Sequence, residues 1–428
     1  MFVIIRNYKF STTVAFFYFL LIISLSIPRI FSGGWRHIIE PMDMRILDNF
    51  PIQHEAVLVL RSTHAMLSNE ITDEYRRNFS TDEYRAVLPI FTAALFTLVT
   101  SNYFWGSAFS DMFWWWLGAL AVYALSRRLG HPSASAIIAG TLVTSSPLAV
   151  AQIGAGHLHA ASSLALPIPM LIAWDALLPA RSRTASITLI AFSILISSLL
   201  YTYQWVMIPW VIYVACIHKS RRILIIRATL ACLLYYVFSL TVQGFFSAGG
   251  LTLHANQNDP ILVLQSRLGV DIGALKDVTT WPLRLFNLII ISFYVTILNL
   301  FSAYSPFIFF WSLLGLFTRN VTHILLYVFS IIFSVAQGAI TDLPWVIMSG
   351  FPIIYISAGS AISTLGANIS QHLQPAQLPQ GGIIKVITHS IPTLVLLLVM
   401  YCLYVTNIDL FGDYSFVRSW FSMGYKPH

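Results

Sequence analysis

Residues 117–130 read "LGALAVYALSRRLG". A run of uncharged residues leads into the pair Arg127 and Arg128, and Gly130 follows them. An apolar run that ends in a basic pair is typical of a transmembrane helix that ends at the cytoplasmic face, because Lys and Arg concentrate in cytoplasmic loops. The stretch therefore predicts a membrane-spanning helix with a known direction.

The composition of the whole chain agrees with this prediction. Of its 428 residues, 57% are hydrophobic, 14% are aromatic and only 10% are charged, whereas a soluble domain averages about 25% charged residues. The composition predicts an all-α polytopic membrane protein, organised as a single integral-membrane domain over 1–428. The net charge of +7 predicts no nucleic-acid partner, because basic residues in a membrane protein mainly set its topology.

Apolar stretches near the length of about 18 residues that a membrane-spanning helix needs recur along the chain. They predict about eleven transmembrane helices: 13–31, 105–125, 133–151, 160–178, 185–202, 204–217, 222–240, 290–317, 322–340, 345–364 and 384–405.

The distribution of charges gives these helices a direction. With the N-terminus in the cytoplasm, every short basic loop, from Arg127–Arg128 to Lys385, falls on the cytoplasmic side. Among the 17 acidic residues, Asp175 alone is expected at that side. The C-terminus is expected outside, and the localisation is predicted as a plasma membrane or bacterial inner membrane.

Two external loops are expected. Loop 32–104 contains nine of the 17 acidic residues, and loop 241–289 follows later in the chain. Within the first loop, 86–100 is apolar but only 15 residues long. It predicts a juxtamembrane or re-entrant helix, because a full crossing there would reverse the later loops.

The order of these features resembles the GT-C superfamily of integral-membrane glycosyltransferases, which includes the protein O-mannosyltransferases and the lipid A aminoarabinose transferase. The resemblance rests on a first span, an acidic external loop, "YRAVLPIF" at 84–91, "LGALAVYALSRRLG" at 117–130 and "IIAGTLVTSSPL" at 137–148. It covers 1–178, and 179–428 resembles the superfamily by topology alone. The stretch "LPWVIMSGFPIIYISAG" at 343–359 departs from the pattern, because Trp345 stands where an Arg-containing pair is common.

The resemblance implies transfer of a sugar from a polyprenyl-phosphate carrier to a lipid, glycan or protein acceptor at the external face. Such a reaction needs a carboxylate as the general base for the acceptor hydroxyl. It also needs a cation beside the phosphate leaving group. The family's base lies soon after the first span, so Asp43 is the first candidate and Glu40 the second. A solvated loop acid or a helix N-cap is the structural alternative for Asp43.

Further candidates for binding the substrate or its phosphate are Arg85, Tyr84, His157, His159 and Asp111. Arg85, with Tyr84 beside it, is the main phosphate candidate, and a snorkelling interfacial anchor is its structural alternative. His157 and His159 flank an expected external turn. They could bind phosphate, bind a divalent cation as cofactor, or simply form a polar turn, and the sequence does not decide between these roles. Asp111 is an intramembrane acid and hence a candidate for function. Trp114, Trp115 and Trp116 point to different sides of one helix and predict packing contacts.

Two other functions stay open at this point. A transporter or flippase for a lipid-linked or polar substrate would carry ionisable groups at mid-depth and spans broken by Pro or Gly. The missing Arg near Trp345 also leaves room for a non-catalytic GT-C-like subunit. The concentration of acids in the external loops favours the enzyme.

Overall fold

The computed structural model describes residues 12–32, 87–145, 164–178, 181–201, 307–316 and 352–372, with single helical residues between 207 and 234 and residue 324. All regular structure within these ranges is α-helical, as the composition predicts. In chain order the helices are α1 Thr12–Ser32, α2 Val87–Thr100, α3 Tyr103–Arg128, α4 Ser133–Thr144, α5 Pro167–Leu177, α6 Arg183–Tyr201, α7 Phe307–Leu316 and α8 Pro352–His372.

Two of the described helices are long and apolar enough to cross a membrane, judged by length and composition. They are Trp105–Arg128, within α3, and Pro352–Gln371, within α8. The predicted spans 13–31, 105–125 and 185–202 coincide with α1, α3 and α6. The full set of about eleven spans stays a prediction, since much of it falls outside the described residues.

Helices α2 and α3 form a tight antiparallel hairpin at the N-terminal half of α3. Ser110 Oγ and Thr92 Oγ1 both donate hydrogen bonds to Pro89 O, each at 2.9 Å. Trp114 Nε1 donates to Thr92 Oγ1 at 2.8 Å. The predicted short helix at 86–100 is therefore present as α2, and buried side-chain hydrogen bonds hold it against α3.

The turn from α3 to α4 explains the "RRLG" sequence. Gly130 has a φ of 85°, a left-handed conformation that glycine adopts without strain. His131 N donates to Ser126 O at 3.1 Å, and Gly130 N donates to Arg127 O at 3.1 Å. This double bonding is the Schellman motif, which ends a helix and satisfies its last carbonyl groups.

The remaining helices gather around α3 and α4. Tyr18 Oη of α1 donates to Ile137 O of α4 at 2.9 Å. Helix α8 approaches α4 closely at Gly359, where a Cβ would lie 2.7 Å from Ser135 O. The buried core thus has α3 and α4 at its centre, with Trp115 and Leu125 fully buried between them and their neighbours.

Candidate functional site

Within the described residues, helices α4 and α5 are both shorter than the spans predicted there. The sequence predicts spans over 133–151 and 160–178, but α4 ends at Thr144 with Ser145 as its C-cap, and α5 begins at Pro167. At 1.5 Å per residue they extend about 18 Å and about 16 Å, against a hydrocarbon thickness of about 30 Å. Pro167 is the first residue of α5, a position that suits proline because an N–H there would have no intrahelical partner.

The facing ends of α4 and α5 meet the same part of α3. Trp115 Nε1 of α3 donates a hydrogen bond to Val143 O, in the last turn of α4, at 2.9 Å. One turn along α3, a Cβ on Gly118 would overlap with Leu164 O, just before α5. Residues 143–145 and 164–166 are called the helix-break region below.

Asp111 lies on the face of α3 that looks toward the helix-break region. Residues at i, i+4 and i+7 share one face of a helix, and Trp115 and Gly118 stand in these positions relative to Asp111. Asp111 is therefore one turn beyond Trp115, on the side away from Arg127, and about 25 Å along α3 from Arg128. Asp111 lies within Trp105–Arg128, a helix long and apolar enough to cross a membrane, and its position at the external side stays a prediction.

The carboxylate of Asp111 is buried without a charged partner in the described part of the chain. The residue is 4% exposed, and its Oδ2 has no hydrogen-bond partner among the described residues. Burying an ionised group without compensation is costly, so such residues within membrane spans are rare and tend to serve function. A carboxylate here accepts hydrogen bonds from sugar hydroxyls or attracts a cation; it does not favour a phosphate.

The helix-break region also adjoins the first turn of α2. Leu88 packs in a small buried cluster that contains Trp114 of α3 and Ala165 of the helix-break region. Tyr84 and Arg85 come three and two residues before Val87, the first residue of α2. Both residues lie outside the described residues, directly before α2 in the sequence.

The three consecutive tryptophans have the packing role that their spacing predicts. Trp114 donates to Thr92 of α2, Trp115 to Val143 of α4, and Trp116 Nε1 donates to Ala15 O of α1 at 2.8 Å. Each indole N–H thus ties α3 to a different helix. The sequence indicates that the three rings diverge, but their individual partners depend on the tertiary fold.

The opposite end of α3 contains a second buried carboxylate in a different environment. Asp175, at the end of α5, lies 3.2 Å from Arg128 Nη2 and 3.8 Å from Arg181 Nη2. The charge pattern places Asp175 at the basic cytoplasmic side, and the structure brings it into contact with arginines from two of the basic loops expected there.

Of the predicted site residues, the structure describes Asp111. The other six, namely Asp43, Glu40, Arg85, Tyr84, His157 and His159, lie outside the described residues. Within the described ranges no group of three or more His, Cys, Asp or Glu side chains is close enough to hold a metal ion. The predicted spans 133–151 and 160–178 stay predictions in their full length, because 146–163 lies outside the described residues.

Comparison with known proteins adds no relative, since no protein-family model matches the chain and no curated protein matches it.

Proposed function

We propose that this chain is a membrane glycosyltransferase that moves a sugar from a polyprenyl-phosphate donor to an acceptor at the external membrane face. The observation that carries the proposal is the buried carboxylate of Asp111 beside the helix-break region. Asp111 lies in the N-terminal half of α3, which follows the acidic loop 32–104 in the sequence. The order of motifs resembling the GT-C superfamily over 1–178 supports the same function.

The proposed reaction is a displacement at the anomeric carbon. Asp43, or Glu40 in its place, takes the proton of the acceptor hydroxyl, and the hydroxyl oxygen attacks the anomeric carbon. The bond from that carbon to the phosphate oxygen breaks, and the phosphate leaves with the electron pair. Arg85 then stabilises the negative charge that develops on the phosphate.

Asp111 has a separate part in this proposal. A sugar presents hydroxyl groups that donate hydrogen bonds, and a water-excluded carboxylate is a strong acceptor for them. The last carbonyl groups of α4 add a partial negative charge on the same side. We assign the sugar of the donor to this region and its phosphate to the start of α2, where Arg85 and Tyr84 precede Val87, with His157 and His159 as further candidates for the phosphate.

The outward face of α2 suits the lipid part of such a donor. Phe91, Leu95, Leu98 and Val99 are all exposed, so the helix presents a continuous apolar surface. An apolar patch of this kind marks a surface for lipid or a partner. A polyprenyl chain lying against it would have its phosphate near one end of α2.

The proposal is tested with purified protein in lipid vesicles, given a defined polyprenyl-phosphate sugar and a set of acceptors. Asp43→Asn is expected to lower turnover at least about a hundredfold, since a general base contributes about 10² to 10⁴. Asp48→Asn, in the same loop, is the matched control and should retain normal turnover. Equal activity of the two variants removes Asp43 as the base, and absence of any sugar transfer by the unaltered protein contradicts the proposed function.

One structural observation favours a second function. The buried Asp111 lies on the same face of α3 as Trp115, which contacts the end of α4, and an acid near a helix end is also typical of transporter sites. A transporter or flippase would move the lipid-linked sugar across the bilayer with no acceptor present. Labelled donor in one leaflet of protein-containing vesicles distinguishes the two: leaflet exchange without product supports transport, and product without exchange supports the enzyme.

A further inference from the structure

Helix α4 ends beside the stretch of α3 that contains Asp111. After the turn that follows α3, α4 runs back along it, and Trp115 Nε1 of α3 donates a hydrogen bond to Val143 O in the last turn of α4 at 2.9 Å. Asp111 lies one helical turn, about 6 Å, beyond Trp115 on the same face of α3. The C-terminal end of α4 is therefore directed toward the level of Asp111.

The C-terminal end of α4 carries a partial negative charge. The carbonyl groups of a last helical turn point out of the helix end, because they have no intrahelical partner there. The aligned peptide dipoles add up to about half a negative charge at this end. No basic residue lies in the last turn of α4 to offset it. The potential between the end of α4 and Asp111 is therefore negative.

Asp111 adds the full negative charge of a carboxylate at this place. The residue is 4% exposed, and its Oδ2 accepts no hydrogen bond from the described residues. No arginine or lysine among the described residues lies within ion-pair distance of it, whereas Asp175 has two. Burial of an ionised carboxylate without compensation is costly, and a cation bound beside Asp111 removes this cost.

The oxygen atoms at this place suit a small monovalent cation. In membrane proteins, backbone carbonyl groups and the C-terminal ends of interrupted helices coordinate Na⁺. The single carboxylate of Asp111 balances a single positive charge, whereas a divalent ion would leave an uncompensated charge inside the helix bundle. Within the described ranges, no group of three or more His, Cys, Asp or Glu side chains is present to favour a more highly charged metal ion.

We infer that Asp111 and the C-terminal end of α4 form a binding site for Na⁺. The carboxylate of Asp111 is the charged ligand, and the dipole of α4 increases the affinity of the site for a cation. The inference concerns the chain in the absence of a sugar donor and an acceptor. It is therefore independent of sugar transfer, and either proposal can fail without the other.

The test measures the equilibrium binding of radiolabelled Na⁺ to the full chain, purified in a neutral detergent and kept in choline chloride. Binding should saturate at about one Na⁺ per chain, because the site contains one carboxylate. Asp111→Asn should lower the affinity at least about tenfold, since the amide keeps the shape of the carboxylate but not its charge. Absence of saturable binding by the unaltered chain overturns the inference.

Asp175→Asn is the matched control. Asp175 is as buried as Asp111 but lies 3.2 Å from Arg128 and 3.8 Å from Arg181, so its charge needs no added cation. The affinity of this variant for Na⁺ should stay within about twofold of the unaltered value, because the two carboxylates are far apart. Equal loss of affinity in the two variants contradicts the assignment to Asp111.

Competition tests the assignment without any substitution. Unlabelled Na⁺ should displace the label, and Ca²⁺ at the same concentration should not, because a divalent ion is unsuited to a single buried carboxylate. Equal displacement by Ca²⁺ overturns the assignment to a monovalent cation. Circular dichroism in choline chloride verifies that the two variants are folded, so that a loss of binding is assigned to the site.

Discussion

Asp111 and Asp175 are the two carboxylates in the described part of the chain, and each is 4% exposed. Burial is the same, but the surroundings differ. Asp175 lies against Arg128 and Arg181 at one end of the helix bundle. Asp111, toward the other end of α3, has no arginine or lysine within ion-pair distance among the described residues, whereas Asp175 has two.

The difference separates a structural acid from a candidate functional one. The charge of Asp175 is compensated by protein arginines, and its contacts join the end of α3 to the turn between α5 and α6. The charge of Asp111 is not compensated by any described side chain. In the proposed enzyme the substrate supplies the missing hydrogen-bond donors, which is why a costly group is retained at this place.

The largest effect on stability is expected from adding a methyl group to Gly118, about two turns from Asp111 on the same face of α3. Gly118→Ala makes a Cβ overlap with Leu164 O, and a backbone carbonyl cannot turn aside as a flexible side chain does. We expect a loss of about 3 kcal/mol in the free energy of unfolding, measured by denaturant titration in detergent.

Gly130→Ala is the matched control at the Asp175 end of α3. A Cβ on Gly130 meets nothing within 4 Å, but its φ of 85° is unfavourable for alanine. Its cost should be about 1 kcal/mol. Equal costs at the two glycines would contradict the close approach of Leu164 to α3.

A smaller loss of stability is expected when Asp175 loses its charge. Removing one partner of a buried ion pair costs about 3 to 5 kcal/mol, but water reaches both arginines and weakens the pair. Asp175→Asn should therefore lower the free energy of unfolding by about 2 kcal/mol. Sugar transfer by the folded fraction should stay normal, because Asp175 is remote from the proposed site.

Arg183→Gln provides the comparison for this variant. The residue is exposed, so its loss should change the free energy of unfolding by less than about 0.5 kcal/mol. If Asp175→Asn is as stable as Arg183→Gln, the contacts of Asp175 with its arginines contribute nothing to the fold.

These two carboxylates also show how far sequence reasoning reaches. Asp175 was predictable as the acid of the basic side, because the charges of short loops follow one simple rule. Asp111 was predictable as an unusual group, because an acid within an apolar run has few structural uses. Neither partner of Asp175 was predictable, since Arg128 and Arg181 reach it only through the packing of α3, α5 and α6.

The predicted spans 133–151 and 160–178 are described by the structure only over 133–145 and 164–178, so their full lengths stay predictions. Hydropathy over 133–151 and 160–178 favours two full spans, and it does not register where a helix ends. Pro147 and Pro167 were the available signals, but Pro306 and Pro352 also interrupt apolar runs in this chain. Tertiary contacts mark the helix-break region where hydropathy does not. Trp115 donates a hydrogen bond to Val143 O, and the missing side chain of Gly118 leaves room for the backbone of Leu164.

The smallest effect on stability, and the most informative one, is expected from Asp111→Asn. The amide has the shape of the carboxylate but carries no charge, so the cost of burying an ion disappears. The free energy of unfolding should stay the same or increase. Sugar transfer should fall at least tenfold, because an amide oxygen is a weaker acceptor than a carboxylate for the hydroxyl groups of the sugar.

Ser107→Ala is the control for this last variant, since Ser107 is buried one turn before Asp111 on α3. It should change sugar transfer less than twofold. If Asp111→Asn instead lowers stability as Asp175→Asn does and leaves transfer unchanged, then Asp111 has a structural partner too. Both carboxylates would then be structural residues, and the proposal that the helix-break region binds the sugar would be contradicted.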